Sequence, residues 1–449
     1  TGDRFGGRLW YQPTNFSVGS YSAHTVCGDS NQLYSWGSNI YGELGFKSWR
    51  SQDVPIKVEG MSDIYYYSAG YVAGAVKRDM SGWVWGRDFE EPTHVIDDAI
   101  YLDAGIRAVT FIKKDGTVWS VGINYKGTFG NGEYSGNYKT PSKMRNITNA
   151  VRVANGYLTT LILLRNGKVM VCGSNQNNGL VSTSYPHVLT PREIPGLTNI
   201  IAIAATKYCH LALNQEGEVF VWGYGPENND RTLRKVPGLQ NIVAISARSD
   251  GNHFMALDSS GNCYAWGDNN HGQVGRAIFG KVVEPGIVAE GVIDILAGES
   301  FSYIVKRDWS LWASGRSNNG SIWLSNLNRR RYVFVPINPY WSALKICEPR
   351  YADFSNYSED SIALCEGDSL FVGQKYQHTT GTYVDTFANR FGFDSLVVSS
   401  LNVISHVQDS IAYKVCEFDT VYHLNKAYWQ GGIFYDTVYD NHGCPSSMH

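Results

Sequence analysis

A chain of 449 residues has room for about three domains of ordinary size, or for one large repeat architecture with a smaller appendage. Hydrophobic residues at 43% and charged residues at 18% supply a core and rule out a disordered tail. A net charge of -3, with Arg329-Arg330-Arg331 as the longest basic run, leaves no electrostatic footprint for nucleic acid, and no apolar stretch of about 18 residues is present to insert in a membrane. The 47 Gly, 29 Tyr and 13 Trp beside 6 Met favour short strands and tight turns, and no window of about 11 residues carries a helical apolar period. The chain opens at Thr1 without an initiator Met, which reads as a processed or cut N-terminus.

One phrase recurs from the N-terminal end: a Gly or Ala step, a short apolar run, a polar turn, alternating apolar residues, then Trp-Gly or a relic of it. Its copies close at Gly37, Gly86, Gly122, Gly173, Gly223, Gly267 and Gly315, a period of around 50 residues with one shortened unit. Three strands per unit are visible, turning at pairs such as Asp115-Gly116, Asn166-Gly167 and Glu216-Gly217, where Gly provides positive φ. A single unit cannot bury both faces, so seven of them predict a closed ring of blades. Gly7-Arg8-Leu9-Trp10-Tyr11 offers a strand that could pair with the last blade.

The stretches Trp36-Gly37-Ser38-Asn39-Ile40-Tyr41-Gly42-Glu43-Leu44-Gly45 and Trp266-Gly267-Asp268-Asn269-Asn270-His271-Gly272-Gln273-Val274-Gly275 resemble the regulator-of-chromosome-condensation repeat. The resemblance covers about residues 20 to 345 and implies a seven-bladed β-propeller. Three departures stand out: Cys172 and Ser314 occupy positions where that family prefers Trp, Tyr224-Gly225-Pro226 interrupts the Asn-x-x-Gly loop, and Arg87-Asp88 is followed by no such loop.

Residues 346–449 follow a different pattern. Cys365-Glu366-Gly367-Asp368-Ser369-Leu370 recurs as Cys416-Glu417-Phe418-Asp419-Thr420-Val421, and Gly381-Thr382-Tyr383-Val384-Asp385-Thr386 as Gly432-Ile433-Phe434-Tyr435-Asp436-Thr437, both at an offset of 51. The expected fold class is therefore all-β: a propeller over 1–345, a small β-sandwich-like module over 346–408 and a second, incomplete module over 409–449. An eighth propeller unit built on Ser361–Leu364 and Leu370–Gly373 is the rival reading. The second repeat resembles Cys-x-Gly-Asp-Ser modules of secreted Bacteroidota surface proteins. That resemblance implies a disulfide between Cys416 and Cys444, leaves Cys365 without its expected partner because Phe393 stands in that place, and makes Cys347 a substitute.

The sequence has no metalloprotease His-Glu-x-x-His, P-loop, dinucleotide-binding glycine pattern, EF-hand or Gly-x-Ser-x-Gly elbow, so neither catalytic residues nor a metal or cofactor site are assigned, and the protein is read as a non-enzyme. His24, His210 and His253 sit at matching points of their repeats, where a ring can hydrogen-bond a neighbouring blade. Cys27, Cys172, Cys209 and Cys263 fall on core strands and read as buried thiols. Among the aromatics, Tyr65-Tyr66-Tyr67 is the best exposed cluster, with alternation burying the middle ring and presenting Tyr65 and Tyr67 for interaction. Six Asp-Ser/Thr-aliphatic triplets, centred on Ser361, Ser369, Ser395, Ser410, Thr420 and Thr437, resemble the O-glycosylation signal of the same secreted proteins; they read equally as turn residues of the repeat.

The function expected from these observations is that of a secreted, non-catalytic cell-surface protein with a rigid propeller head. The incomplete last module suggests a fibre subunit assembled by strand complementation, with other copies of itself or another surface protein as partner. A propeller that binds a secreted protein or a surface glycan, as inhibitor or adhesin, is the alternative. Nucleotide exchange on a small GTPase, which the propeller family also implies, ranks below both because cysteine-bearing modules favour an oxidising exterior.

Overall fold

The alternating apolar residues of each repeat form a four-stranded antiparallel sheet, and there are seven such sheets. The computed structural model describes residues 16–19, 21–27, 30–175, 186–224, 231–308, 310–316 and 330–336, together with the short segments between 358 and 448 given below. Blade 1 comprises β1 (Phe16–Val18), β2 (Ser22–Cys27), β3 (Gln32–Gly37) and β4 (Gln52–Lys57). Blade 2 comprises β5 (Ile64–Ser68), β6 (Ala73–Lys77), β7 (Gly82–Gly86) and β8 (Phe89–Ile96). Blade 3 is built from β9 (Ala99–Ala104), β10 (Ala108–Lys113), β11 (Val118–Tyr125) and β12 (Ser135–Lys143). Blade 4 is built from β13 (Ala150–Asn155), β14 (Thr159–Leu164), β15 (Val169–Ser174) and β16 (His187–Glu193). Blade 5 contains β17 (Ile200–Ala205), β18 (Cys209–Asn214), β19 (Val219–Gly223) and β20 (Arg231–Lys235). Blade 6 contains β21 (Ile242–Ala247), β22 (His253–Asp258), β23 (Cys263–Asp268) and β24 (Lys281–Ala289). Blade 7 contains β25 (Val292–Ala297), β26 (Phe301–Lys306), β27 (Leu311–Arg316) and β28 (Arg330–Pro336).

The first strands of successive blades touch in order, and β25 returns to β1, so the ring is closed. Every blade takes its four strands from consecutive sequence, the last one included. Closure is therefore a matter of side-chain packing: Phe16, Val18 and Trp36 of blade 1 share one core cluster with Phe301, Tyr303 and Leu311 of blade 7, and Phe16 meets the Tyr303 ring edge-on at 5.1 Å. Each such buried aromatic is worth roughly 1.5–3 kcal/mol. Gly7–Tyr11 lies outside the described residues.

The sequence shows three strands per unit; the structure has four. The outermost strand escapes pattern reading because it is an edge that can lack any buried residue, as β12 does, and because it holds prolines such as Pro55, Pro141 and Pro285, which a central strand would exclude.

The seven closing glycines have φ between 87° and 113°. A Cβ on any of them would lie 2.3–2.6 Å from a carbonyl oxygen in the loop joining the first two strands of its own blade: that of Tyr21, Tyr71, Arg107, Leu158, Tyr208, Asn252 or Ser300. Only glycine permits both the dihedral and the approach. The residue after the glycine then donates its N–H to that same carbonyl in blade after blade, as from Ser38 to Tyr21 at 2.9 Å and from Asp268 to Asn252 at 2.9 Å.

Neighbouring blades are clasped at the third strand. Trp85 Nε1 donates to the Glu43 carbonyl at 3.0 Å in the preceding blade's Asn-x-x-Gly loop. In two blades where Trp is replaced the bond persists: Cys172 Sγ donates to the Thr128 carbonyl at 3.3 Å and Ser314 Oγ to the Gln273 carbonyl at 3.3 Å, whereas Val121 of blade 3 has no donor to offer. The Cys172 and Ser314 departures from Trp change the donor and keep the acceptor position.

The propeller lies in one compact unit of the chain, and the strands from Ser358 onward lie in a second. There β29 (Ser358–Cys365) pairs in parallel with β33 (Asp394–Ile404), which also pairs antiparallel with β32 (Gly381–Ala388), while β30 (Leu370–Val372) and β31 (Lys375–Gln377) form a hairpin. The next repeat reproduces this 51 residues on: β34 (Gln408–Asp409) is parallel and β37 (Asp436–Tyr439) antiparallel to β38 (Pro445–Met448), and β35 (Val421–His423) pairs with β36 (Lys426–Tyr428). Asp385↔Val397 becomes Asp436↔Met448 in register. The parallel pair is unlike any propeller blade and counts against an eighth unit.

Candidate functional site

Because the strands of each blade alternate in direction, the loops between first and second strands emerge on the same face as those between third and fourth. The repeat places one residue of each first loop against its closing glycine, and in three blades that residue is a tyrosine: Tyr21, Tyr71 and Tyr208. Closing the ring sets these beside aromatic and charged residues of the third-to-fourth loops. Tyr71 lies 6.5 Å from Tyr21 and 4.9 Å from Tyr41, both edge-on, and Arg87 stands over Tyr41 at 5.9 Å. Arg107 lies over both Tyr125 (5.1 Å) and Tyr157 (5.3 Å), and its Nη2 donates to the Tyr157 hydroxyl at 3.2 Å. Lys207 sits between Tyr157 and Tyr208, at 5.4 and 5.3 Å. That hydrogen bond from Arg107, more than the neighbouring positive charges, holds the Tyr157 phenol below its ordinary value.

Blades 6 and 7 supply the opposite charge. Arg248, buried, donates from Nη1 to the Val18 carbonyl at 2.9 Å and pairs through Nε with Asp250 Oδ1 at 3.4 Å. Glu299 is half-buried against Tyr21, and burial, followed by repulsion from Asp250, raises its carboxyl to about 7. Among the described residues no hydrogen bond reaches either Asp250 oxygen, Glu299 Oε2, Ser249 Oγ or Ser300 Oγ. The face is thus a ring of tyrosines gripped by arginine and lysine over blades 2 to 5, with the carboxyls of Asp250 and Glu299 and the buried Arg248 at blades 6 and 7, beside Tyr21 of blade 1. The carboxyl side has hydrogen-bonding capacity left for a partner.

Of the residues singled out in the sequence, Tyr67 is 4% exposed in the core between blades 1 and 2, where its hydroxyl donates to the His24 carbonyl at 3.3 Å. Tyr65 is partly buried against the core between blades 2 and 3. A bulge between Ile64 and Tyr66 interrupts the alternation on which their exposure was argued, and β5 is an innermost strand. His210 Nε2 meets the Thr159 hydroxyl at 2.9 Å and His253 Nε2 the Ser302 hydroxyl at 2.7 Å, so both tie neighbouring blades through side chains instead of backbone. Burial lowers His24, His210 and His253 to about 3. Cys172, Cys209 and Cys263 are buried and form no disulfide with one another. Ser361, Ser395 and Thr437 fall on β29, β33 and β37, while Cys416, Cys444, Ser369, Ser410 and Thr420 lie outside the described residues. The tyrosine ring was missed, although its signal is present: a tyrosine at one fixed point before the second strand of several repeats.

Comparison with known proteins agrees with the repeat. The regulator of chromosome condensation (RCC1) repeat matches residues 30–72 and 242–273, and the chain carries these repeats in a seven-bladed propeller. It is 29% identical over 260 residues to the secretion-regulating guanine nucleotide exchange factor of Bos taurus, covering 54% of this chain and 49% of that protein. It is 30% identical over 156 residues to the human regulator of chromosome condensation, covering 33% and 35%. The chain thus spans about half, or less, of the length of these relatives. Among solved structures, Prp20p of Saccharomyces cerevisiae superposes with a TM-score of 0.60 at 19% identity, covering 68% of this chain and 86% of that one, a likeness of fold.

These relatives overturn the expected function. They are an exchange factor and a chromosome-condensation regulator, so the readings of a secreted cell-surface component, a fibre subunit and an adhesin or secreted inhibitor are corrected, and the extracellular location falls with them. The assignment as a non-enzyme is corrected too, because nucleotide exchange factors are enzymes.

Proposed function

We propose that the propeller is an exchange factor of the RCC1-repeat type, with a small GTPase docking on the loop face. The observation that carries this reading is the charge-divided tyrosine ring, in which Arg107 and Lys207 oppose the Asp250–Glu299 pole on one rigid face. The relative named as a guanine nucleotide exchange factor supports it.

Exchange asks little of a catalyst beyond differential binding. A surface that holds the nucleotide-free partner more tightly than the nucleotide-bound one lowers nucleotide affinity by the same factor, because the coupling is reciprocal. A closed ring suits this work, since its loops are pinned to strand ends and spend little ordering entropy on contact. Tyrosine and arginine are the side chains that most often dominate such interfaces. The two repeats that recur at an offset of 51 residues are, in this reading, a small β-sandwich-like module over 346–408 and a second, incomplete one over 409–449.

The test is release of a fluorescent guanine nucleotide from a panel of purified small GTPases. Acceleration of at least one, reduced by Arg107→Glu with Lys207→Glu while the protein stays folded, is the expected result. No acceleration across the panel, or acceleration indifferent to the charge reversal, refutes the assignment.

A further inference from the structure

Four closing glycines are followed two residues later by asparagine: Asn39, Asn124, Asn175 and Asn269. In the three loops that are described, this asparagine does the same two things. Its Oδ1 accepts from the backbone N–H five residues on, at Leu44 (2.9 Å), Phe129 (3.2 Å) and Val274 (2.9 Å). Its Nδ2 donates to the carbonyl nine residues on, at Ser48, Glu133 and Ile278. The residue after that pinned carbonyl is aromatic each time and stands out from the rim: Trp49 is 55%, Tyr134 45% and Phe279 72% exposed. Asn175 is followed at the same distance by Tyr185, which lies outside the described residues. Single exposed apolar side chains are ordinary. The same register in each of these loops is not, since the two asparagine bonds that build the loop do not involve the ring.

Basic residues accompany these rings. Arg50 follows Trp49, Lys281 lies two residues beyond Phe279, and Lys126 stands in the Tyr134 loop over Tyr125 at 5.6 Å. We propose that the rim of the loop face docks on an anionic membrane surface, with Trp49, Tyr134 and Phe279 seated at headgroup level and the neighbouring lysines and arginines on the lipid phosphates. Aromatic rings paired with basic side chains have the composition of an interfacial belt. Their placement favours a bilayer over a protein: the three rings stand on blades 1, 3 and 6, spread around the rim instead of clustered as an interface hot spot, and a flat, extended target meets all of them at once. Among the described residues no helix is long and apolar enough to cross a membrane, so the contact argued here is interfacial. Docking turns the centre of the face towards lipid, so vesicles and a protein partner at the tyrosine ring compete.

The experiment is sedimentation of the full chain with phosphatidylcholine vesicles, with and without about 30 mol% phosphatidylserine. The expected result is binding to the anionic vesicles alone, lost in about 0.5 M salt where the Debye length falls to roughly 4 Å, with a blue shift of tryptophan emission that Trp49→Phe abolishes. Each basic residue at an anionic surface is worth roughly fivefold in partition, so Arg50→Glu with Lys281→Glu should lower binding more than about 20-fold. Trp49→Ala with Tyr134→Ala and Phe279→Ala should do the same in protein that keeps a cooperative urea transition, which is measured alongside because Tyr134 also meets the His187 ring edge-on at 5.0 Å. Absence of wild-type binding, or a triple variant that sediments as the wild type does, overturns the proposal. Vesicle-free nucleotide exchange by the triple variant separates this inference from the exchange reading: the rim rings lie outside the tyrosine ring, so either can fail without the other.

Discussion

Replacing Gly267 by alanine should destabilise the propeller by about 4 kcal/mol, whereas the same change at Gly280 in the same blade should cost about half as much. Both glycines have positive φ, 112° and 94°, so both substitutions incur the backbone cost of roughly 1–3 kcal/mol. They differ in room. A Cβ at Gly267 would lie 2.6 Å from both the Asn252 carbonyl oxygen and His253 Cα, whereas nothing lies within 4 Å of one at Gly280. Relief at Gly267 requires β22 to move away from β23, which also strains the His253–Ser302 contact to blade 7, and overpacking of that kind costs roughly 1–3 kcal/mol more. The assay is urea unfolding followed by fluorescence of the buried Trp36, Trp85, Trp222 and Trp266, compared at constant slope. Equal losses for the two variants would refute the steric argument and leave only the dihedral.

Acid should act through the three buried imidazoles. Their folded values lie near 3 and unfolded ones near 6.5, so the unfolded chain binds more protons and stability falls as pH drops below about 6.5, by about 1.4 kcal/mol per pH unit for each ring. His210→Gln should remove one third of that slope in urea midpoints taken between about pH 6.5 and 5. Glu299 works in the other direction: its carboxyl is raised to about 7, so its contribution is lost as pH rises from the unfolded value of 4.5 through 7, and Glu299→Gln should flatten the thermal midpoint over that window. Arg107→Ala should let the Tyr157 phenol titrate at higher pH by ultraviolet difference absorbance; an unmoved titration would show that the guanidinium does not hold it. Cys172→Ser should keep the clasp to Thr128 and cost less than Cys172→Ala, which leaves that carbonyl unpaired at about 1–3 kcal/mol by chemical denaturation.

The sequence by itself determined the repeat and its count. Trp-Gly steps returning about every 50 residues mark a unit that cannot bury its own faces, and the seven closing glycines could be named before any coordinates because the turn they make tolerates no Cβ. The 51-residue offset was equally legible, and the strand registers repeat at it. The fourth strand was not legible, since an edge strand with prolines and no buried residue, such as β12, needs no apolar face in its sequence. Tyr65 and Tyr67 were misplaced because one bulge in β5 shifts which rings face inward, and a pattern of period 2 cannot register an inserted residue. The site itself belonged to tertiary structure. Tyr21, Tyr71, Arg107, Tyr157, Lys207 and Glu299 come from six different blades, each unremarkable in its own repeat, and only ring closure brings Phe16 against Tyr303 and sets Tyr21 of the first blade beside Glu299 of the last. Local propensity decides which residues turn and which extend; which loops become neighbours is decided by packing between segments some 280 residues apart, for which no local pattern carries information.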